Sequence, residues 1–472
     1  MKLLKDYRFL FLLLIVPYLF VLNLPYVGEE ANWVIPSFEM SYFKEYVLQT
    51  IYKVPYYRPP LFNYPTIVFS KLFGWEYAKA IQRLQTITMT ILTALSIRYV
   101  LKRVYKDEKL GWFGALIYLS LGDVMIHDGW LGYEDGVYIG FSSMSMLFTM
   151  LGVYEESYMF IFFGSALATG GFLTKALTSF VYFYATLIIS FYILKPKKLN
   201  IYKTAFISSI VPLFFLILWY GFAPKSNVSE HGMLWDIINK FRFKGIIPYL
   251  KQFFGYPVQF WLNMSLNSLV FLYLAFKRKV DLDILKTDKF LLNAWIVGIV
   301  NFIPYWLPPF SGIRYAAPLY SIFALCFSVM LYPKFKDLML KFIYFAIVFK
   351  FVALGIAFPI YYGHIRENTN KIAREVYNLT IKKGIPLYCD DDGWVGFSVI
   401  ANIDVKIHKP ILYPPKDLTY GCVFTANLSK YKDFKIVRNY QNSDYLVCKF
   451  YRYLSTTYFA ILTLSEKPLS SG

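Results

Sequence analysis

The sequence predicts an all-α polytopic membrane protein of about eleven transmembrane helices with a small α/β domain outside the membrane at its carboxy-terminal end. Three observations predict it. The 472 residues are 57% hydrophobic and 21% aromatic, with a mean hydropathy of +0.43, which is more apolar surface than a soluble core of that length can hide. Lys and Arg outnumber Asp and Glu by 49 to 30 and gather in short links between apolar runs, the positive-inside pattern rather than a nucleic-acid-binding surface. Beyond residue 360 the chain becomes charged and alternating.

Taken in order, the apolar run 9–24 follows Lys2, Lys5 and Arg8. With Pro17 inside it and no small-x-small cleavage site before Pro25, it reads as a transmembrane helix rather than a removable signal. A long loop, 25–60, follows. The run 61–73, broken by Pro65 and Lys71, is too short to span and reads as interfacial or re-entrant. Spans are then expected at 78–100, 110–126, 136–153, 159–174, 176–194 and 202–222, a second long loop at 223–256, and further spans at 257–276, 290–307, 315–331 and 342–360. The basic links (Lys102, Arg103, Lys106 and Lys109; Lys195, Lys197 and Lys198; Lys277, Arg278 and Lys279; Lys334 and Lys336) fall on one side with the amino terminus, which makes that side cytoplasmic. Both long loops, the turns near 127–135 and 307–314, and the tail then face outward. This divides the chain into a membrane domain, 1–360, and an extracytoplasmic α/β domain, 361–472, with a helix expected over 365–382 and strands near 385–389, 421–424, 434–437 and 445–450. Cys326 lies in a span; the three outer cysteines, Cys389, Cys422 and Cys448, leave at least one without an intrachain partner, and no spacing resembles a zinc site.

With that topology the unusual polar residues collect on the outer side: Glu29, Glu30, Arg58, His127, Asp128, Glu134, Asp135, Lys175, Glu230, His231 and Arg314. A transporter or flippase for a lipid-linked substrate, the alternative class, would more naturally hold such groups near the bilayer midplane. Glu29 and Glu30 are solvated loop residues or, functionally, a general base for an acceptor hydroxyl. Arg58 precedes Pro59 and Pro60, which hold the chain extended; its planar fork of donors suits a phosphate, and snorkelling to the headgroups is the bland reading. Asp135 can be a helix cap, and Lys175 and Arg314 interfacial anchors. The Glu230–His231 pair offers a divalent metal two ligands, although a loop His is more often simply solvated. No Gly-rich phosphate loop of the P-loop or dinucleotide type is present, so no nucleotide site is expected.

Several stretches together resemble one family, the polyprenyl-phosphate-sugar-dependent glycosyltransferases of the GT-C fold, in the branch of the aminoarabinose lipid A transferases and dolichyl-phosphate-mannose protein mannosyltransferases. They are Glu29-Glu30 after the first span; Arg58-Pro59-Pro60-Leu61 with an apolar run to Leu72-Phe73-Gly74; Asp135 opening a span; Gly171-Phe172-Leu173-Thr174-Lys175; and Arg314-Tyr315-Ala316-Ala317-Pro318, all in the family's order. The resemblance implies inverting transfer of a sugar from a polyprenyl-phosphate donor to a hydroxyl of a glycan, lipid or protein acceptor on the outer face of the cell membrane. It implies catalytic roles for Glu29 or Glu30 and for Asp135, and lipid-phosphate binding by Arg58, Lys175 and Arg314. Members usually carry Asp-Glu in the first loop, so Glu29 stands where the family has aspartate. Some carry an acidic residue and a metal just before the basic one; here that position is Tyr57, while Glu230-His231 resembles an acidic-His pair in the family's second loop.

Overall fold

The computed structural model describes residues 6–56, 58–222, 245–309, 311–366, 368–391, 393–440 and 444–449. It forms two compact units. One comprises Met1–Asn23, Tyr57–Pro65 and Ala80–Pro359; the other comprises Leu24–Tyr56, Thr66–Lys79 and Ile360–Gly472.

The first unit is helical because its apolar runs are long and its polar links supply caps. Asp6 caps helix Tyr7–Ile15 by accepting from the Arg8 amide (2.9 Å), Asp107 caps Glu108–Leu119 through the amides of Lys109 and Leu110, and Asp288 caps Lys289–Trp306 through Leu291. Each satisfies a donor that the first turn leaves without an intrahelical partner. Pro17 tightens the end of the first span into a 3₁₀ turn, Val16–Val21. Helices Glu134–Tyr154, Tyr158–Thr174, Thr178–Leu194 and Ile201–Phe222 follow at the expected places.

Among the described residues, four helices are long and apolar enough to cross a membrane: Trp75–Tyr105, Glu134–Tyr154, Ile201–Phe222 and one that begins at Ala317. Tyr7–Val21, Tyr158–Thr174 and Thr178–Leu194 are shorter apolar helices. The protein is a multi-pass membrane protein.

One loop boundary shifts. Helix Ile246–Met264 begins inside the stretch read as the end of the second long loop, 223–256, because Pro257 is accommodated within it. That helix then breaks by 113° near Ser265, whose φ of 42° lies in the left-handed region. The run 61–73 is an eleven-residue helix, Asn63–Phe73, that leaves Val68, Phe69, Leu72 and Phe73 exposed.

The last two expected spans, 315–331 and 342–360, emerge as limbs of one backbone that is helical throughout Tyr320–Val352. A straight helix would put Lys350 about 45 Å from Tyr320. Yet the Tyr320 hydroxyl donates to Asp123 (3.0 Å), neighbouring Val124 accepts from Tyr18 (2.6 Å), and the Lys350 ammonium lies 3.3 Å from the centre of the Tyr18 ring. The chain therefore doubles back between them. Pro333, beside Tyr332 packed on Phe113, is where it can do so: proline removes an intrahelical donor and its ring clashes with the carbonyl four residues earlier.

The second unit holds a four-stranded sheet with strand order Leu387–Cys389, Gly421–Thr425, Tyr445–Lys449, Lys435–Asn439. The first pair is parallel and the others antiparallel. All four strands fall at the short runs where the sequence predicts them. Cys422 and Cys448 sit directly opposite one another and form a disulfide, while Cys389 and Cys326 are buried thiols. Helix Thr369–Leu379 has the amphipathic period expected of it. Helix Trp394–Ile407 was not read from the sequence, because residues all around it are buried and no polar stripe marks its period.

The first long loop is not irregular. It contains helix Ala31–Phe43 and a hairpin, Gln49–Ile51 with Val54–Tyr56, built into the second unit: the Tyr52 ring packs at a tilt on Phe397 (5.8 Å between centres), and its hydroxyl donates to the Asp391 carbonyl. The hairpin turn places Tyr52 and Lys53 at φ of 56° and 65°, conformations that usually demand Gly or Asn. Buried Glu39 offsets that cost, accepting from Thr50 Oγ1 (2.5 Å) and the amides of Tyr52 (2.7 Å) and Lys53 (3.1 Å). Glu39→Ala leaves those donors without their acceptor and is expected to destabilise this unit by about 2–3 kcal/mol in denaturant unfolding.

Burial raises the Glu39 carboxyl above its ordinary range, against the lowering effect of its hydrogen bonds. The folded unit thus keeps that proton to higher pH than the unfolded chain does. Its contribution to stability is full below the ordinary carboxylate value and is lost as pH rises through the raised one. Glu39→Gln is expected to flatten this part of the stability profile, checked by unfolding at stepped pH from about 4 upward.

Candidate active site

Helix Glu134–Tyr154 opens with two acidic residues, after Tyr133 in extended conformation and without a side-chain cap. Glu134 and Asp135 fill its first turn, where free amides and the helix dipole favour negative charge. The helix enters tightly packed: a Cβ on Gly136 would lie 2.3 Å from Thr86 Cγ2, so only glycine admits this approach. As a result both carboxylates are buried, Glu134 to 1% exposure and Asp135 to 5%. Buried carboxylates are costly unless paired with cations.

Three cations from three other parts of the first unit pair with them. Arg58 Nη1 bonds Glu134 Oε1, and Lys175 Nζ bonds Asp135 Oδ1 while lying 3.7 Å from Glu134. Arg314 Nη1 is 3.8 Å from Asp135 Oδ2. Lys175 is 4% exposed, Arg58 and Arg314 only partly covered. Two guanidinium groups and one ammonium thus converge on a single helix start, and these are the donor types that suit phosphate oxygens.

The local sequence explains how each cation is held. Pro59 and Pro60 stiffen the chain after Arg58, and the next amides are fixed, Leu61 to the Leu173 carbonyl (3.0 Å) and Asn63 to Pro60 (2.9 Å). Lys175 ends helix Tyr158–Thr174, its amide bonded to Gly171. Gly171 lets helix Thr178–Leu194 come close, since a Cβ there would lie 2.3 Å from Ser179 Oγ. Arg314 sits in the 3₁₀ turn Ile313–Tyr315, whose last carbonyl accepts from the Tyr182 hydroxyl. The Tyr315 ring lies 5.2 Å from the Lys175 ammonium and 5.8 Å from the Arg314 guanidinium, a shared cation–π surface.

Four of the residues singled out in the sequence, Arg58, Asp135, Lys175 and Arg314, are therefore brought together. Glu134 belongs with them, although the sequence pattern does not assign it to the site. Its signal was its place beside Asp135 in a helix first turn. Glu29 and Glu30 lie in the second unit and differ from each other. Glu30 is fully buried and accepts from the Val27 amide (2.8 Å), whereas Glu29 is exposed at the start of helix Ala31–Phe43. Tyr57, Glu230 and His231 lie outside the described residues, and the metal expectation for the last two with them.

No family model and no curated protein sequence matches the chain. Solved structures do. The chain superimposes on ArnT from Cupriavidus metallidurans in its apo state with a TM-score of 0.67 and 12% identity, over 92% of this chain and 96% of that one. On the same protein bound to undecaprenyl phosphate the TM-score is 0.70 at 12% identity, over 94% and 98%. Across nearly its whole length the chain has the fold of these ArnT structures, the GT-C fold that the sequence resemblance implied.

Proposed function

We propose that the protein is an integral membrane glycosyltransferase that moves a sugar from a polyprenyl-phosphate donor to a hydroxyl acceptor on the outer face of the membrane, with inversion. The observation that carries this reading is the gathering of Arg58, Lys175 and Arg314 around the buried carboxylates of Glu134 and Asp135. The shared fold with a protein crystallised with undecaprenyl phosphate supports a lipid-phosphate donor. The Cys422–Cys448 disulfide supports an outer location for the second unit, since disulfides persist in oxidising compartments.

In this scheme the bond from the sugar's anomeric carbon to the phosphate oxygen breaks as the acceptor oxygen bonds that carbon from the opposite face. Negative charge grows on the departing phosphate, and Arg58, Lys175 and Arg314 stabilise it. Asp135 holds Lys175 in place. Glu29, as the exposed member of its pair, takes the acceptor's proton. The donor bond carries the driving energy, so no nucleotide is needed.

The test is turnover by the purified full-length protein supplied with polyprenyl-phosphate sugars and a panel of hydroxyl acceptors. Arg58→Ala is expected to lower kcat/KM by about 10²-fold or more, the scale set by losing one charge-stabilising donor. Equal turnover in wild type and variant would remove Arg58 from the donor site. No turnover in wild type with any lipid-phosphate sugar would remove the transferase reading.

A further inference from the structure

A second group of ionisable side chains stands apart from the Arg58–Lys175–Arg314 cluster. Asp123 lies in the short helix Gly122–Ile126, and His127 and Asp128 end it. The backbone brings the three together: the amides of His127 and Asp128 both donate to the Asp123 carbonyl at 2.9 Å. One ligand atom from each lies within 4.8 Å of the others. His127 Nδ1 is 2.8 Å from Asp128 Oδ1 and 4.0 Å from Asp123 Oδ1.

Two further features distinguish this from a solvated acidic turn. The Asp128 side chain is only 8% exposed, and its Oδ2 is buried and meets no hydrogen-bond donor among the described residues. A buried carboxylate oxygen with no donor costs free energy that a bound cation would recover. Asp123 is also held from behind. Its Oδ2 accepts from Asn263 Nδ2 (3.2 Å) and from the Tyr320 hydroxyl (3.0 Å), which leaves Oδ1 for the cluster. Such outer partners orient a carboxylate that ligates a metal.

We propose that Asp123, His127 and Asp128 bind one divalent transition-metal ion of the zinc or manganese class. Metal–ligand bonds of about 2.0–2.2 Å place neighbouring ligand atoms roughly 3–3.6 Å apart. The separations of 2.8 and 4.0 Å bracket that range, so small side-chain rotations complete the set. An imidazole among two carboxylates selects against magnesium and calcium, which take oxygen ligands. His127 is half exposed, which leaves an entry path and room for water as remaining ligands. The ion would fix the turn that leads, six residues after Asp128, into Glu134. The proposal does not depend on the transferase reading.

The experiment uses full-length protein in detergent carrying Glu230→Gln and His231→Ala, so that any site at that pair is silent. The protein is stripped with EDTA and titrated with ZnCl2, MnCl2 and MgCl2 by calorimetry, and the ion retained after gel filtration is counted by elemental analysis. One ion per chain is expected. His127→Gln and Asp128→Asn are each expected to weaken binding at least tenfold, and Tyr320→Phe by about tenfold through loss of orientation. His127 is half exposed, so its variant supplies the comparison should Asp128→Asn fail to fold. No retained ion in the background protein, equal affinity in the His127 variant, or a preference for magnesium would each overturn the proposal.

Discussion

Lys175→Met is expected to destabilise the protein by about 3 kcal/mol, because it leaves Asp135 in a buried first turn without the cation bonded to it. The figure sits at the lower end for a broken buried pair because Arg314 remains 3.8 Å from the same carboxylate. Replacing both partners, Lys175→Met with Asp135→Leu, is expected to return most of that stability, since two well-packed apolar groups need no compensation. Unfolding of wild type, Lys175→Met, Asp135→Leu and the double variant in detergent, read as a double-mutant cycle, checks this. A double variant no more stable than Lys175→Met alone would show that the pair is not the source of the loss. Both variants are expected to have lost donor binding, which separates the stability of the cluster from its use.

Glu29→Gln is expected to lower kcat by about 10²–10⁴-fold with little change in affinity for a polyprenyl phosphate, the range that a positioned general base contributes. Glu30→Ala should behave differently. Its carboxylate is buried against the Val27 amide, so its removal is expected to cost stability and to reduce turnover only as far as helix Ala31–Phe43 loses its start. Single-turnover kinetics with a loaded donor, alongside lipid-phosphate binding, distinguish the two. Loss of kcat in a stably folded Glu30 variant together with normal turnover in Glu29→Gln would exchange their roles.

Much of the chain could be read residue by residue. Apolar runs of spanning length, opened by Asp6, Asp107 and Asp288 or interrupted by Pro17, contain their own boundary signals within one or two turns. The strands of the four-stranded sheet were legible for a similar reason, since each is a short apolar run of about five residues set off by charged and turn-forming residues. Helix Trp394–Ile407 escaped because burial on all sides erases the polar face that would reveal its period. The start of helix Ile246–Met264 escaped because Pro257 was read as a boundary rather than an accommodated kink.

By itself the sequence determined the membrane class, most of the helices and the strands of the four-stranded sheet, and it marked Arg58, Asp135, Lys175 and Arg314, which the structure brings together, each by a charge where an apolar segment begins or ends. Only the tertiary structure decided that Glu134 joins them as the partner of Arg58, 76 positions away, and that Glu30 is buried while Glu29 is exposed. It also decided that the hairpin of the first long loop packs within the second unit through Tyr52, and that Tyr320–Val352 doubles back on itself. The physical reason is range. Propensity, capping and hydropathy act over a few residues and are written locally. The partner of a buried charge is chosen by whichever segments packing brings within about 4 Å, and no single stretch of sequence encodes that choice.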